Sequence, residues 1–253
     1  MRARLRVAGL LLAAAAAAPV HADGLADMKA ALQRVDAVAP VKGTLEARTW
    51  RRTGEGKEAI EVSGLASVGV EDGPRGLSIL YGKDLLARLE LEKRARVKDP
   101  DAKAPLSNAL EEVSPGNAIG YLSAAPALLR MLEKAVPKGE RADTWQGKPV
   151  RVLKFEIPMS TLPKEALKYT KKFDATTEIW IGADGMPLAS RMRQTMSGRA
   201  FVVISFEATA DESVNYALVG DRLVQVKRES RRMSAGAGEK QENRNTYTLQ
   251  LAP

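Results

Sequence analysis

The chain contains no cysteine, and its one histidine, His21, lies in a stretch expected to be removed before the protein functions. Without cysteine there is no disulfide to staple the fold and no thiol to carry a lipid anchor, so stability must come from burying apolar surface. A mature chain lacking both residues has no Ser-His or Cys-His nucleophile pair and no zinc site of the usual nitrogen and sulfur type. It also lacks the side chain that ordinarily changes charge near neutral pH. Carboxylate pairs, lysine bases and oxygen-ligated metals escape this exclusion. Glu111-Glu112 and Glu90/Glu92 come nearest to paired carboxylates, but such close neighbours on a helix do not face one another. No Gly-rich phosphate loop, calcium loop or nucleophile elbow is present. The sequence therefore reads as a non-enzyme with no cofactor and no metal. Aromatic residues make up only 5 %, which leaves little for bases to stack on and argues against nucleic acid as a partner.

What is present begins with an export signal. Arg2, Arg4 and Arg6 precede an unbroken apolar run over 7–18, and Pro19-Val20-His21-Ala22 supplies a small-residue cleavage pattern. The run is too short to cross a hydrocarbon core of ~30 Å as a helix. Residues 1–22 are expected to be a cleaved signal peptide, which makes the protein periplasmic and the mature chain, 23–253, a single domain. Removing the three signal arginines lowers the formal charge from +8 to +5. That surplus serves solubility, or favours anionic partners such as a membrane surface.

Along the mature chain, Leu25, Met28, Leu32 and Val35 recur at helical spacing before Pro40, which predicts an amphipathic helix. The period then falls to two. Ile60, Val62, Gly64, Ala66, Val68 and Val70 alternate with mostly polar residues, and strands are expected over 44–52, 58–71 and 77–81. A helical insert over 83–136 follows, with Pro126 predicting a kink or a split. Strands return over 149–157, 173–181, 188–197, 200–209, 213–219, 222–232 and 243–251, with a lysine-rich helical turn near 164–172 and a flexible loop over 234–242. A twisted sheet of nine or ten strands curls, and the insert is the segment apolar enough to fill it. The expected class is α+β: a curved antiparallel half-open β-barrel wrapped around a helical insert, with an N-terminal amphipathic helix.

The stretch 178–193, "EIWIGADGMPLASRMR", reads as a hairpin reversed at Asp184-Gly185. Pro187 would waste a ladder hydrogen bond in a sealed sheet, so it predicts a strand start, a bulge or a free edge. Trp180-Ile181, Asp184-Gly185 and Met186-Pro187-Leu188, with the basic strand after them, resemble the corresponding hairpin of the periplasmic lipoprotein-carrier superfamily, the group of LolA, LolB and RseB. The order of helix, strands, helices and strands is similar too. The resemblance implies a half-open barrel capped by helices, with an apolar cavity for acyl chains.

It implies a carrier or binder of a hydrophobic or amphiphilic small molecule, or of an acylated protein, in the cell envelope. The alternative is an envelope interaction or stress-sensing module with no ligand cavity. A cavity would be lined by Val62, Val68, Leu77, Ile79, Trp180, Met192 and Val203 from the strands and Leu128 and Leu132 from the helices, the same residues an ordinary core would use. Met186, Met192 and Met196 add adaptable apolar volume near the hairpin. The charges of 227–232 either steer anions to a cavity mouth or protect an edge strand.

Overall fold

The computed structural model of the chain describes residues 23–35, 39–200 and 204–252. The expected signal peptide, 1–22, lies outside them. Helix α1 (Gly24–Gln33) opens the described chain, and the side chain of Asp23 caps it by accepting from the amides of Leu25 and Ala26. Strands β1 (Val41–Thr53), β2 (Ile60–Asp72) and β3 (Ser78–Leu80) come next. Four helices follow: α2 (Lys83–Lys98), α3 (Pro105–Glu111), α4 (Pro115–Leu122) and α5 (Ala125–Lys134). Each of the last three carries a proline in its first turn, where the missing amide costs nothing. Pro126 thus starts α5 and divides it from α4, the split that its position predicts.

The rest is sheet, apart from a 3-10 turn over Met159–Thr161 and α6 (Lys164–Tyr169). Strands β4 (Val136–Trp145) and β5 (Lys148–Glu156) form one hairpin, and β6 (Thr170–Ile181) and β7 (Pro187–Ala200) the next. Strands β8 (Ile204–Val219), β9 (Arg222–Gly236) and β10 (Glu239–Leu251) complete the sheet. All ten strands join one open antiparallel sheet in the order β3-β2-β1-β10-β9-β8-β7-β6-β5-β4. Pro187 opens β7 beside a register shift between Trp180 and Ile181, although β7 is an interior strand. Gly185 has φ +80, and a Cβ there would lie 2.6 Å from the Asp27 carbonyl oxygen, so this turn tucks directly beneath α1.

The structure differs from the sequence reading at three places, for identifiable reasons. Strand β4 falls almost wholly between the expected insert, 83–136, and the expected strand over 149–157, where no element is predicted, because its residues are almost all exposed and show no alternation. It is an edge strand, defended by Pro137, a bulge at Gly139 and a run of charge. Strand β8 runs unbroken through Asp211-Glu212, which looks like a turn in sequence but pairs with Arg193 and Met192. The expected flexible loop over 234–242 is instead the tight end of the β9–β10 hairpin, with Gly236 opposite Glu239.

That reversal places Ala237 at φ 54 and Gly238 at φ 80, and the β4–β5 turn does the same with Gln146 and Gly147. Two successive positive φ values are the signature of the turn that prefers Asn-Gly. Replacing Ala237 with Asn is expected to stabilise the protein by about 0.5–1 kcal/mol, since Asn tolerates the left-handed region that penalises Ala. Urea unfolding should show a higher midpoint at unchanged slope; a lower midpoint would contradict the turn assignment.

The helices share one face of the sheet. Met28, Ala31 and Leu32 of α1 and Leu128 and Leu132 of α5 pack with Leu153, Phe155, Ile179 and Ile181 of β5 and β6. Tyr121 and Leu122 of α4 pack with Val41, Leu45, Val68, Val70 and Leu249. Helix α2 buries no residue; it leans on the small cluster of Ala66, Leu106 and Ala109 through half-buried Leu85 and Leu89.

Candidate functional site

In an antiparallel sheet directly opposed residues project to the same side, so the register lays out transverse rows of side chains. The row Ala66, Ala47, Tyr247, Arg228, Val214, Ser190, Ile179, Leu153 lies on the helix-bearing face. Six of its members are buried hydrophobics. Two residues further along the strands comes Gly64, Thr49, Asn245, Ser230, Glu212, Met192, Thr177, Phe155, and then Val62, Arg51, Asn243, Arg232, Ala210, Gln194, Ala175. The next row carries Ser234, Ala208, Met196 and Phe173, and Gly198 stands opposite Phe206 beyond it.

Across these rows the face changes from packed to open. Met192, Met196, Phe173, Phe206, Ala208 and Ala210 are only half-buried and form a mostly apolar strip on β6, β7 and β8, interrupted by Gln194, which lies between the two methionines and donates to Met196 Sδ at 3.5 Å. Beside it, on β1, β10 and β9, the same face is polar. A pocket of about 160 Å³ lies there between the sheet and the end of α3, lined by Thr49, Arg51, Asn108, Glu112, Arg232 and Asn245 among others.

A hydrogen-bonded layer divides the two halves. Arg228 donates to Glu212 at 2.7 Å and lies 5.9 Å from the ring centre of Tyr247. The Tyr247 hydroxyl donates to Glu112 Oε2 at 2.8 Å, and its ring meets Tyr121 at 5.2 Å. Ser190 and Tyr216 share a hydrogen bond of 2.8 Å, and Gln225 Nε2 donates to the Gly120 carbonyl. Burial works against the charge of Arg228, but Glu212 beside it prevails and holds the guanidinium protonated. Burial also raises the phenols of Tyr121 and Tyr247 above their ordinary range, in Tyr247 aided by the bond to Glu112, and pushes Tyr216 up to about 12.

These shifts fix a pH dependence. A phenol whose pKa is higher folded than unfolded contributes stability that is intact below pH ~10 and is lost as pH rises through the folded value. Stability is therefore expected to fall above pH 10, by up to about 1.4 kcal/mol per pH unit for each such tyrosine. Urea unfolding at pH 8, 10 and 11 checks this. Tyr216→Phe should flatten the slope between pH 10 and 12, and an unchanged slope would contradict the assignment.

The residues expected to line a cavity separate into groups. Val68, Leu128 and Leu132 are buried within the two large clusters, and Leu77 and Ile79 pack against one of them. Val62 borders the polar pocket, and Met192 lies in the apolar strip. Trp180 stands opposite in parity to Ile179 and Ile181, so it projects from the other face of the sheet. There its indole nitrogen donates to Asp143 at 3.1 Å and its ring lies 6.1 Å from Trp145. Val203 lies outside the described residues. Of the three methionines near the hairpin, Met186 is buried with α1 and α5.

The edge-protection reading of 227–232 does not hold, because β9 is interior. Its charges alternate between faces: Lys227, Glu229 and Arg231 on one, Arg228 and Arg232 on the other. Most are matched, as in Lys227–Glu229 at 3.0 Å and Arg231–Glu242 at 2.7 Å. Sequence reasoning missed Arg51, Asn243, Phe173 and the Phe206–Ala210 segment as neighbours. The Ala237-Gly238 turn fixes the β9–β10 register and so sets Asn243 opposite Arg232, whereas the pairing of Arg51 with Asn243 joins strands far apart in sequence and has no local signal.

A larger open groove, about 600 Å³, lies where β8, β9, β10 and the β1–β2 turn meet, with Met233, Ala235 and Thr209 along it. Its cations are occupied: Lys240 pairs with Glu55 and Arg52 with Glu61. Among the described residues it therefore offers no free cation to orient an anionic ligand.

No known protein family and no curated protein matches the chain. Among solved structures the chain is similar to a crystal structure from Vibrio parahaemolyticus described as an outer membrane lipoprotein-sorting protein domain, at 14 % identity over 90 % of this chain and 92 % of that one. The TM-score is 0.29, too low for that neighbour to carry an argument about this chain.

Proposed function

We propose that the protein is an exported envelope protein that binds an amphiphile on the uncovered half of its helix-bearing face. The observation that carries this reading is the half-buried apolar strip of Phe173, Met192, Met196, Phe206, Ala208 and Ala210 beside a polar, arginine-bearing surface. An apolar tail laid on the strip would remove it from water, and methionine adapts to tails of different shape. The guest would not lie among Leu128, Leu132 and Val68, which are packed inside the two clusters beneath the helices.

Purified protein is expected to retain an amphiphile in native mass spectrometry and to take up a fluorescent fatty-acid probe. Met192→Glu and Met196→Glu should weaken probe binding about tenfold or more, because a carboxylate placed under an apolar tail must be desolvated. Their thermal midpoints should change little, as both sites are half-exposed. Clean apoprotein with no probe uptake would overturn the reading. The packing of the helices against the sheet favours a second one, an envelope interaction module whose strip docks a protein. In that case crosslinked pull-downs recover a partner and the same variants lose it, with lipid probes inert throughout.

A further inference from the structure

We infer that the polar pocket beside the strip is a seat for the anionic head group of the amphiphile, a phosphate or carboxylate held between Arg51 and Arg232. The inference rests on the reading above and adds the ligand's charge to it. Arg51, Asn243 and Arg232 stand directly opposite one another on β1, β10 and β9, so both guanidiniums rise from one row on the helix-bearing face with an amide between them. Both line the pocket. Arg51 Nε donates to Asn243 Oδ1 at 3.0 Å. Among the described residues neither arginine has a carboxylate partner, whereas their strand neighbours Arg52, Arg228, Arg231 and Arg244 each have one.

The pocket does contain a carboxylate. Glu112 is already engaged, accepting from the Tyr247 hydroxyl at 2.8 Å and from Asn245 at 3.4 Å. Two cations against one anion leave the pocket electropositive, and the remaining donors, the Asn108 amide and the Thr49 and Ser230 hydroxyls, suit an oxyanion. Its volume of about 160 Å³ corresponds to about five waters, the scale of a head group and not of an acyl chain. The next residue along the arginine row is Ala210, which opens the apolar strip. Adjacent strands lie about 4.8 Å apart, so a head group on Arg232 places the first methylenes of its tail over Ala210 and then over Gln194, with Met192 and Met196 on either side of it.

The test is titration of the full mature chain with lysophosphatidylglycerol, with a monoacylglycerol of the same chain length, and with inorganic phosphate. The anionic lipid should bind about tenfold or more tighter than the neutral one, an advantage that shrinks with added salt. The Arg51→Gln/Arg232→Gln double variant should lose that advantage and bind the neutral lipid unchanged. Equal binding of both lipids, unaffected by the double variant, would overturn the seat and leave the strip standing. So would a double variant that weakens both lipids alike, which would make the arginines structural. Phosphate binding as tight as the anionic lipid and indifferent to Met192→Glu would assign the pocket to a free anion and contradict the seat. Failure of both lipids to bind the unaltered chain would remove strip and seat together.

Discussion

Phe155→Ala is expected to destabilise the protein by about 4 kcal/mol and to lower its melting temperature by about 10 °C. The ring is 2 % exposed and packs with Met28, Leu32, Leu132 and Ile179 from two helices and a neighbouring strand. Those neighbours belong to separate elements and cannot all collapse into the void, so the cavity term adds to the lost transfer energy. Phe155 also stands in the same row as Thr177 and Met192, at the boundary between packed and open halves. The matched control is Phe173→Ala, a half-exposed ring in the strip, which should cost about 1 kcal/mol by urea unfolding. Equal losses at the two positions would mean that the boundary is misplaced.

Gly64→Val should rank next, with a loss of about 3 kcal/mol. A Cβ at Gly64 would run into the backbone carbonyl of Pro105 at the start of α3 and approach Thr49 Oγ1 to 2.8 Å. A carbonyl in the first turn of a helix cannot rotate aside as a flexible side chain does, so α3 has to lift from β2 and uncover Leu106 and Ala109. Because α3 also carries Asn108 to the polar pocket, the variant should weaken binding of the anionic lipid even where it remains folded. Gly116, which has open space around its would-be Cβ, provides the control, and Gly116→Ala should be neutral or slightly stabilising. Comparable losses at both glycines would contradict the close seating of α3.

Much of the architecture is legible in the residues. Alternation from Ile60 to Val70 marks β2, helical spacing from Leu25 to Leu32 marks α1, and Pro126 marks the break between α4 and α5. The size of the sheet follows from strand number, whereas Pro187 marks the start of interior strand β7 beside a register shift and not a free edge. What escaped notice lacks a local signature. Strand β4 carries no apolar face because it is an edge, and β8 hides behind acidic residues that serve an interior strand. Trp180 looks like a cavity residue because it is large and apolar; a single-residue parity, set by Ile179 and Ile181, sends it to the other face. The meeting of Arg51 with Arg232 depends on two registers across three strands, and no window of sequence contains both.

The central claim is that a guest lies on the strip beyond the helices and not beneath them. Photo-crosslinking with a diazirine-bearing fatty acid, followed by peptide mapping, tests it most directly. Adducts on Phe173, Met192, Met196 or 206–210 are expected, and adducts confined to Leu128, Leu132 and Val68 would contradict it.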